Sequence, residues 1–230
     1  MFQNKKPYSY FKIGAICASI VSASYVIITI LALFSPVSVM TYHVDNKYFS
    51  DFQSYENFFI LLKCLFIVTN ASLVGVVIAI HKLKESKNKG VLTLFSVLAI
   101  VGLGIGMLQS VKDATRVPHL AKSYKISSPE IKDVIITFGV ANPAIYTLSL
   151  GLPAIWFIVM SICCRNVFSK LLVFLGIMWG TGSILIVLAH LFIITWLFYF
   201  IEAGALFMAP VWGIAQTHFF WKFHKNTNRD

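Results

Sequence analysis

Long apolar runs separated by short polar connectors dominate this chain. A hydrocarbon core of about 30 Å, crossed at 1.5 Å per residue, needs about 20 apolar helical residues. Four runs meet that length directly, at 13–35, 58–80, 91–111 and 134–162. A fifth, from 171 to 221, is too long for one span and fits two joined by a tight turn. No Gly, Pro or Asn marks that turn, and the pattern places it near 195–200, giving spans at 171–194 and 199–221. The expected fold is all-α, a polytopic bundle of six transmembrane helices forming one integral membrane domain. The first run is longer than the apolar segment of a secretory signal and reads as a retained span.

Basic residues orient the bundle. Lys5, Lys6, Lys12, Lys82, Lys84, Lys87, Lys89, Arg165, Lys170, Lys222, Lys225 and Arg229 fall at one face, and Lys47, Lys112, Arg116, Lys122, Lys125 and Lys132 at the other. The twelve-to-six bias predicts both ends in the cytoplasm. The third loop, with five of the six opposing charges, runs against that bias. Within it, Ser128-Pro129-Glu130 has the form of a helix N-cap followed by a first-turn proline and acid. The fourth helix is therefore expected to start before it enters the lipid, with kinks at Pro143 and Pro153. The aromatic first loop (Tyr42, Tyr48, Phe49, Phe52, Tyr55 and Phe59) reads as an interfacial flap. Three spans on either side of the third loop also resemble the layout of inverted-repeat transporters.

Composition narrows the function classes. The chain is 58% hydrophobic and 12% charged, so lipid is the solvent of most of its surface. The formal charge of +10 sits beside spans, where it acts topogenically, and no nucleic-acid partner is expected. Cys17, Cys64, Cys163 and Cys164 show no metal spacing and no disulfide framework. His81 and His190 fall at opposite ends of their spans, which disfavours haem. The Gly180-Thr181-Gly182-Ser183 run lies within a helix with His190 about 10 Å away, too far for a serine nucleophile. Gly102-x-Gly104-x-Gly106 lacks the strand and third glycine of a dinucleotide fingerprint. No cofactor, metal or catalytic group is assigned, and no pattern names a reaction.

Helices in lipid meet through small residues and polar groups. Three spans carry such a stripe: Gly102, Gly106, Gln109 and Asp113 in the third; Gly176, Gly180, Ser183 and His190 in the fifth; Glu202, Ala209, Gly213 and Gln216 in the sixth. Lys63 and Asn70 share a face of the second span, and Asn142, Tyr146 and Ser149 align on the fourth. Lys63, Asp113, His190 and Glu202 all fall toward the outer leaflet. The candidate binding set is Glu202, His190, Asp113, Lys63, Asn142 and Gln109, lining an outward-facing polar cavity for a small molecule or ion. An acid at mid-membrane costs about 2.5 to 3.5 kcal/mol on insertion scales, so Glu202 demands a partner or a retained proton. The competing arrangement leaves these groups at wet helix ends. In function, a scaffold using its stripes to pair with partner helices and a membrane-embedded enzyme are the alternatives.

From Ser127 to Trp221 the chain resembles a family of small bacterial six-span membrane proteins. The likeness lies in the Ser-Pro-Glu start of the fourth helix, Gly151-Leu152-Pro153-Ala154-Ile155-Trp156, the basic turn 165–170, Leu175-Gly176, and a last helix bearing Glu202 and Trp212-Gly213. The resemblance implies a multi-pass protein of the bacterial inner membrane and carries over no reaction.

Overall fold

The computed structural model describes residues 8–34, 46–83, 89–138, 143–192 and 194–227. Among them are seven helices and no strand: α1 (Tyr8–Phe34), α2 (Asn46–His81), α3 (Lys89–Ile126), α4 (Pro129–Phe138), α5 (Pro143–Cys163), α6 (Lys170–Leu191) and α7 (Thr195–Thr227). All but α4 are long and apolar enough to cross a membrane, so the chain is a multi-pass helical membrane protein with six spans. Its outer wall is apolar, with side chains such as Leu33, Leu94, Leu108, Phe174 and Ile214 open to the acyl chains.

The spans form a closed ring in chain order: α1 packs on α2, α2 on α3, α3 on α5, α5 on α6, α6 on α7, and α7 on α1. The start of α1 and the end of α7 lie together, where the Phe11 and Phe223 rings meet at 4.9 Å. This ring rules out the inverted-repeat layout. A twofold axis in the membrane plane, viewed along the normal, acts as a mirror and reverses the sense of the ring. Superposing the first three spans on the last three would preserve that sense, so no such axis relates the halves.

Close approach within the ring follows from the small-residue stripes, and α5 is gripped on both sides. A methyl on Gly102 of α3 would come within 2.7 Å of Pro153 Cδ, and one on Gly180 of α6 within 2.6 Å of the Ala154 carbonyl oxygen. The interior is filled by aromatic rings: Phe157 stacks on Trp179 at 4.4 Å, and Trp212 packs edge-on against both at 5.1 Å. Where Pro210 interrupts α7 it has no N–H to give the Leu206 carbonyl. The Thr29 hydroxyl of α1 lies 3.1 Å from that carbonyl and 2.8 Å from the Tyr25 carbonyl of its own helix, so its one proton is shared between a local bond and one that ties the first and last spans together.

Three boundaries differ from the sequence expectation. The break between the last two spans lies at 192–194, because α6 ends at Leu191, where the backbone N–H of Phe192 bonds back to the Leu188 carbonyl, and α7 starts at Thr195. The expected single fourth helix is two. Pro143 opens α5 instead of kinking a longer helix, as its fixed φ and missing N–H suit a first turn. Asn142 lies outside the described residues. The second and third spans also extend well beyond the bilayer, since the 38 residues of α3 span about 57 Å.

That overhang changes the reading of the first loop. Tyr48, Phe49, Phe52 and Phe59 of α2 pack with Val117 and Ala121 of α3 and Ile135 of α4 into a second core. Phe49 stacks on Tyr124 at 4.4 Å. The aromatics build a helical cap over one end of the bundle, because α3 and α4 offer them an apolar surface better than the headgroup region. The third loop's basic residues accordingly lie on helix: Lys112, Arg116, Lys122 and Lys125 on α3, Lys132 on α4.

Candidate functional site

Between the cap and the aromatic interior lies a cavity of about 180 Å³ to which all six spans contribute. Tyr48 and Phe59 belong both to its lining and to the cap, and Tyr25 and Trp179, in edge contact at 5.6 Å, belong to the lining from the bundle side. Lys63 and Asn70 come from α2, Gly106, Gln109 and Asp113 from α3, Tyr146 and Ser149 from α5, Ser183 from α6 and Glu202 from α7.

The polar groups follow from the stripes. Gln109 and Asp113 are one turn apart on the face of α3 that Gly102 and Gly106 bring close to α5 and α2. Lys63 Nζ donates to Asp113 Oδ2 at 2.7 Å, and Gln109 Nε2 donates to Asp113 Oδ1 at 2.7 Å. Lys63, Gln109 and Asp113 are all at least nine-tenths buried. Phe59 adds a ring face 5.0 Å from the ammonium. A buried charge pair holds only when its remaining valences are met, and here the amide and the ring supply part of that. Both carboxylate oxygens of Asp113 are thereby occupied.

Glu202 stands apart. It lies seven residues into α7, lines the same cavity and feels the charge of Lys63, yet it makes no hydrogen bond or ion pair among the described residues. Gln109 Oε1 is likewise a buried acceptor without a partner among them. Of the six residues nominated from sequence, the structure brings Lys63, Gln109, Asp113 and Glu202 around one cavity. His190 sits behind the lining in the last turn of α6, its ring 4.9 Å from that of Tyr146. Lys63, expected as a counter-charge in the cavity, is committed to Asp113.

Sequence reasoning missed the aromatic lining of Tyr25, Tyr48 and Trp179. Tyr25 carried a signal, since a tyrosine in mid-span has no water for its hydroxyl and belongs at an interior polar site. Tyr48 gave none, because its role depends on the cap. Elsewhere, burial, and to a lesser degree the neighbouring Cys163, push the Cys164 thiol up to about 12, so it offers no thiolate to an acyl group or metal at neutral pH. Among the described residues, no three His, Cys, Asp or Glu side chains converge as metal ligands would.

Compared with known proteins, the chain matches no family model, no curated protein and no solved structure, so its functional reading rests on this geometry.

Proposed function

We propose that this chain is a solute-binding membrane protein that holds a small molecule or ion in the cavity between its six spans, as a transporter or a transport-associated component. The observation that carries the reading is the shared lining. Every span gives a side chain to one cavity containing a buried Lys63–Asp113 pair and the carboxyl group of Glu202. Ionisable groups within spans are costly and belong to ligand or ion paths unless they serve packing alone. A scaffold gains nothing from enclosing such a void, whose lining forfeits packing contacts.

The bias of basic residues toward the connectors opposite the cap favours an orientation with the cap and cavity on the outer side of a bacterial inner membrane.

The test is native mass spectrometry of the protein extracted gently from its own membrane. A discrete small-molecule or ion adduct is expected on the wild type. It should be lost from Ala205→Phe, which fills the cavity from α7 without replacing a charged group. A bare monomer, or a chain recovered only with another protein, rejects the reading in favour of a scaffold.

A further inference from the structure

Resting on the solute-binding reading, we infer that the cavity selects a small organic cation bearing an ammonium group. The inference comes from counting donors and acceptors around the lining. Each oxygen of Asp113 is engaged, one by Lys63 and one by Gln109. Those same bonds use one of the two Gln109 amide N–H groups and direct the Lys63 ammonium to Asp113, so the cation of the lining is already paired. Ser149 Oγ donates to the Tyr146 carbonyl at 3.0 Å. The lining also carries the neutral groups Asn70, Ser110, Ser183 and the tyrosine hydroxyls; its one charged group outside the Lys63–Asp113 pair is the Glu202 carboxyl, and Gln109 Oε1 is a buried acceptor without a partner among the described residues. A guest that supplies N–H or C–H donors and positive charge meets both, whereas an anionic guest would add a charge beside Glu202 with no cation left to neutralise it.

Charge and shape agree with that count. With Lys63 and Asp113 cancelling, ionised Glu202 leaves one negative charge in the cavity, and a monovalent cation restores neutrality. An inorganic ion would require a shell of oxygens. Beside its oxygens this lining presents the rings of Tyr25, Tyr48, Phe66, Tyr146 and Trp179, a feature that recognises an organic cation and that an inorganic ion does not need. A cavity of this size suits a guest comparable to benzene, about six to ten heavy atoms. The ammonium can belong to a free solute or to a lipid headgroup entering from the membrane; the recognition chemistry is the same.

The test uses the full chain in dodecyl maltoside, which carries no ammonium. Three probes of matched shape are titrated by calorimetry: choline, its uncharged carbon isostere neohexyl alcohol, and the anion tert-butylacetate. Choline should bind at least about tenfold more tightly than neohexyl alcohol, from the charge-assisted and ring contacts together. Tert-butylacetate should not bind. In Glu202→Gln the preference for choline should fall to about threefold or less, as the carboxylate contribution goes and the ring contribution stays. Because the first comparison needs only wild-type protein, a poorly folded variant does not shelter the inference.

Equal affinity for choline and neohexyl alcohol overturns the cation assignment while leaving a solute-binding cavity. Absence of binding by all three, with no adduct retained from the membrane, removes the cavity reading as well. A retained choline or ethanolamine phospholipid that free choline displaces supports the inference and names the lipid as source; choline binding with no such lipid supports a free solute.

Discussion

Lys63 and Asp113, fifty positions apart, meet at 2.7 Å between α2 and α3 with both side chains nearly closed off from the surroundings. Such a pair is weak evidence of stability but a sensitive point of failure, because removing one partner strands the other charge. Lys63→Met should cost about 3 to 5 kcal/mol in a reversible SDS-titration unfolding experiment. Lys63→Met combined with Asp113→Leu should recover most of that loss, short by about 1 kcal/mol for the Gln109 amide left without its acceptor. Additive losses would mean that the two side chains do not form a pair.

The glycines on either side of α5 make a second prediction with an internal control. Gly180→Ala places a methyl against the Ala154 backbone and should destabilise by about 1 to 3 kcal/mol. Gly104 and Gly204 have nothing within 4 Å of such a methyl. Gly104→Ala or Gly204→Ala should be neutral or stabilise by up to about 1 kcal/mol from helix propensity. The same unfolding assay distinguishes them, and equal effects at Gly104 and Gly180 would refute the α5–α6 contact.

Thr29 should matter through a carbonyl on another helix. Thr29→Val removes the donor that the Leu206 carbonyl shares with the Tyr25 carbonyl, at a cost of about 1 kcal/mol. In the background Pro210→Ala, which restores the α7 N–H, the same substitution should cost less than about 0.5 kcal/mol. A full-sized Thr29 effect in that background would assign its role to something other than the proline gap.

The cap should come loose as a unit. Phe52 is fully buried where α2, α3 and α4 meet, and Phe52→Ala should cost about 3 to 5 kcal/mol of local stability. Hydrogen exchange would then rise across residues 46–57 and the whole of α4 while the interior near Trp212 stays protected. Uniform exchange throughout the bundle would show that the cap has no independent cooperativity.

Outside the membrane, the start of α4 titrates. The Ser128 side chain, with a smaller contribution from the backbone, holds the Glu130 carboxyl below its ordinary value. A folded pKa below the unfolded one gives stability that is present above the unfolded value, about 4.3, and is lost as pH falls through the folded one. Carbon-detected NMR of Glu130 in bicelles should show its midpoint rising toward 4.3 in Ser128→Ala. A midpoint unmoved by the substitution would dissociate Glu130 from the cap hydroxyl.

How much of this was legible beforehand divides along physical lines. Membrane class and the number of spans follow from run length against bilayer thickness, a one-dimensional quantity, and six spans are what the structure contains. The stripes were readable for the same reason: spacing near 3.6 puts Gly102, Gly106, Gln109 and Asp113 on one face whatever that face meets. Helix ends were less legible. The break at 192–194 carries no glycine or proline, and its backbone closure is local geometry that composition does not encode.

What the sequence alone determined, then, is that six apolar helices form and which face of five of them avoids lipid. Which faces meet was decided in three dimensions. Lys63 had two acids at similar depth to choose between, and the order of the ring gave it Asp113 on the adjacent α3 while leaving Glu202 on α7 to the cavity. The aromatic first loop had two solvents available, headgroups or protein, and the overhang of α3 together with α4 supplied the apolar surface that made it a cap. Pair choice and surface matching depend on distances between residues far apart in the chain, and a linear pattern of residue types contains no such distances.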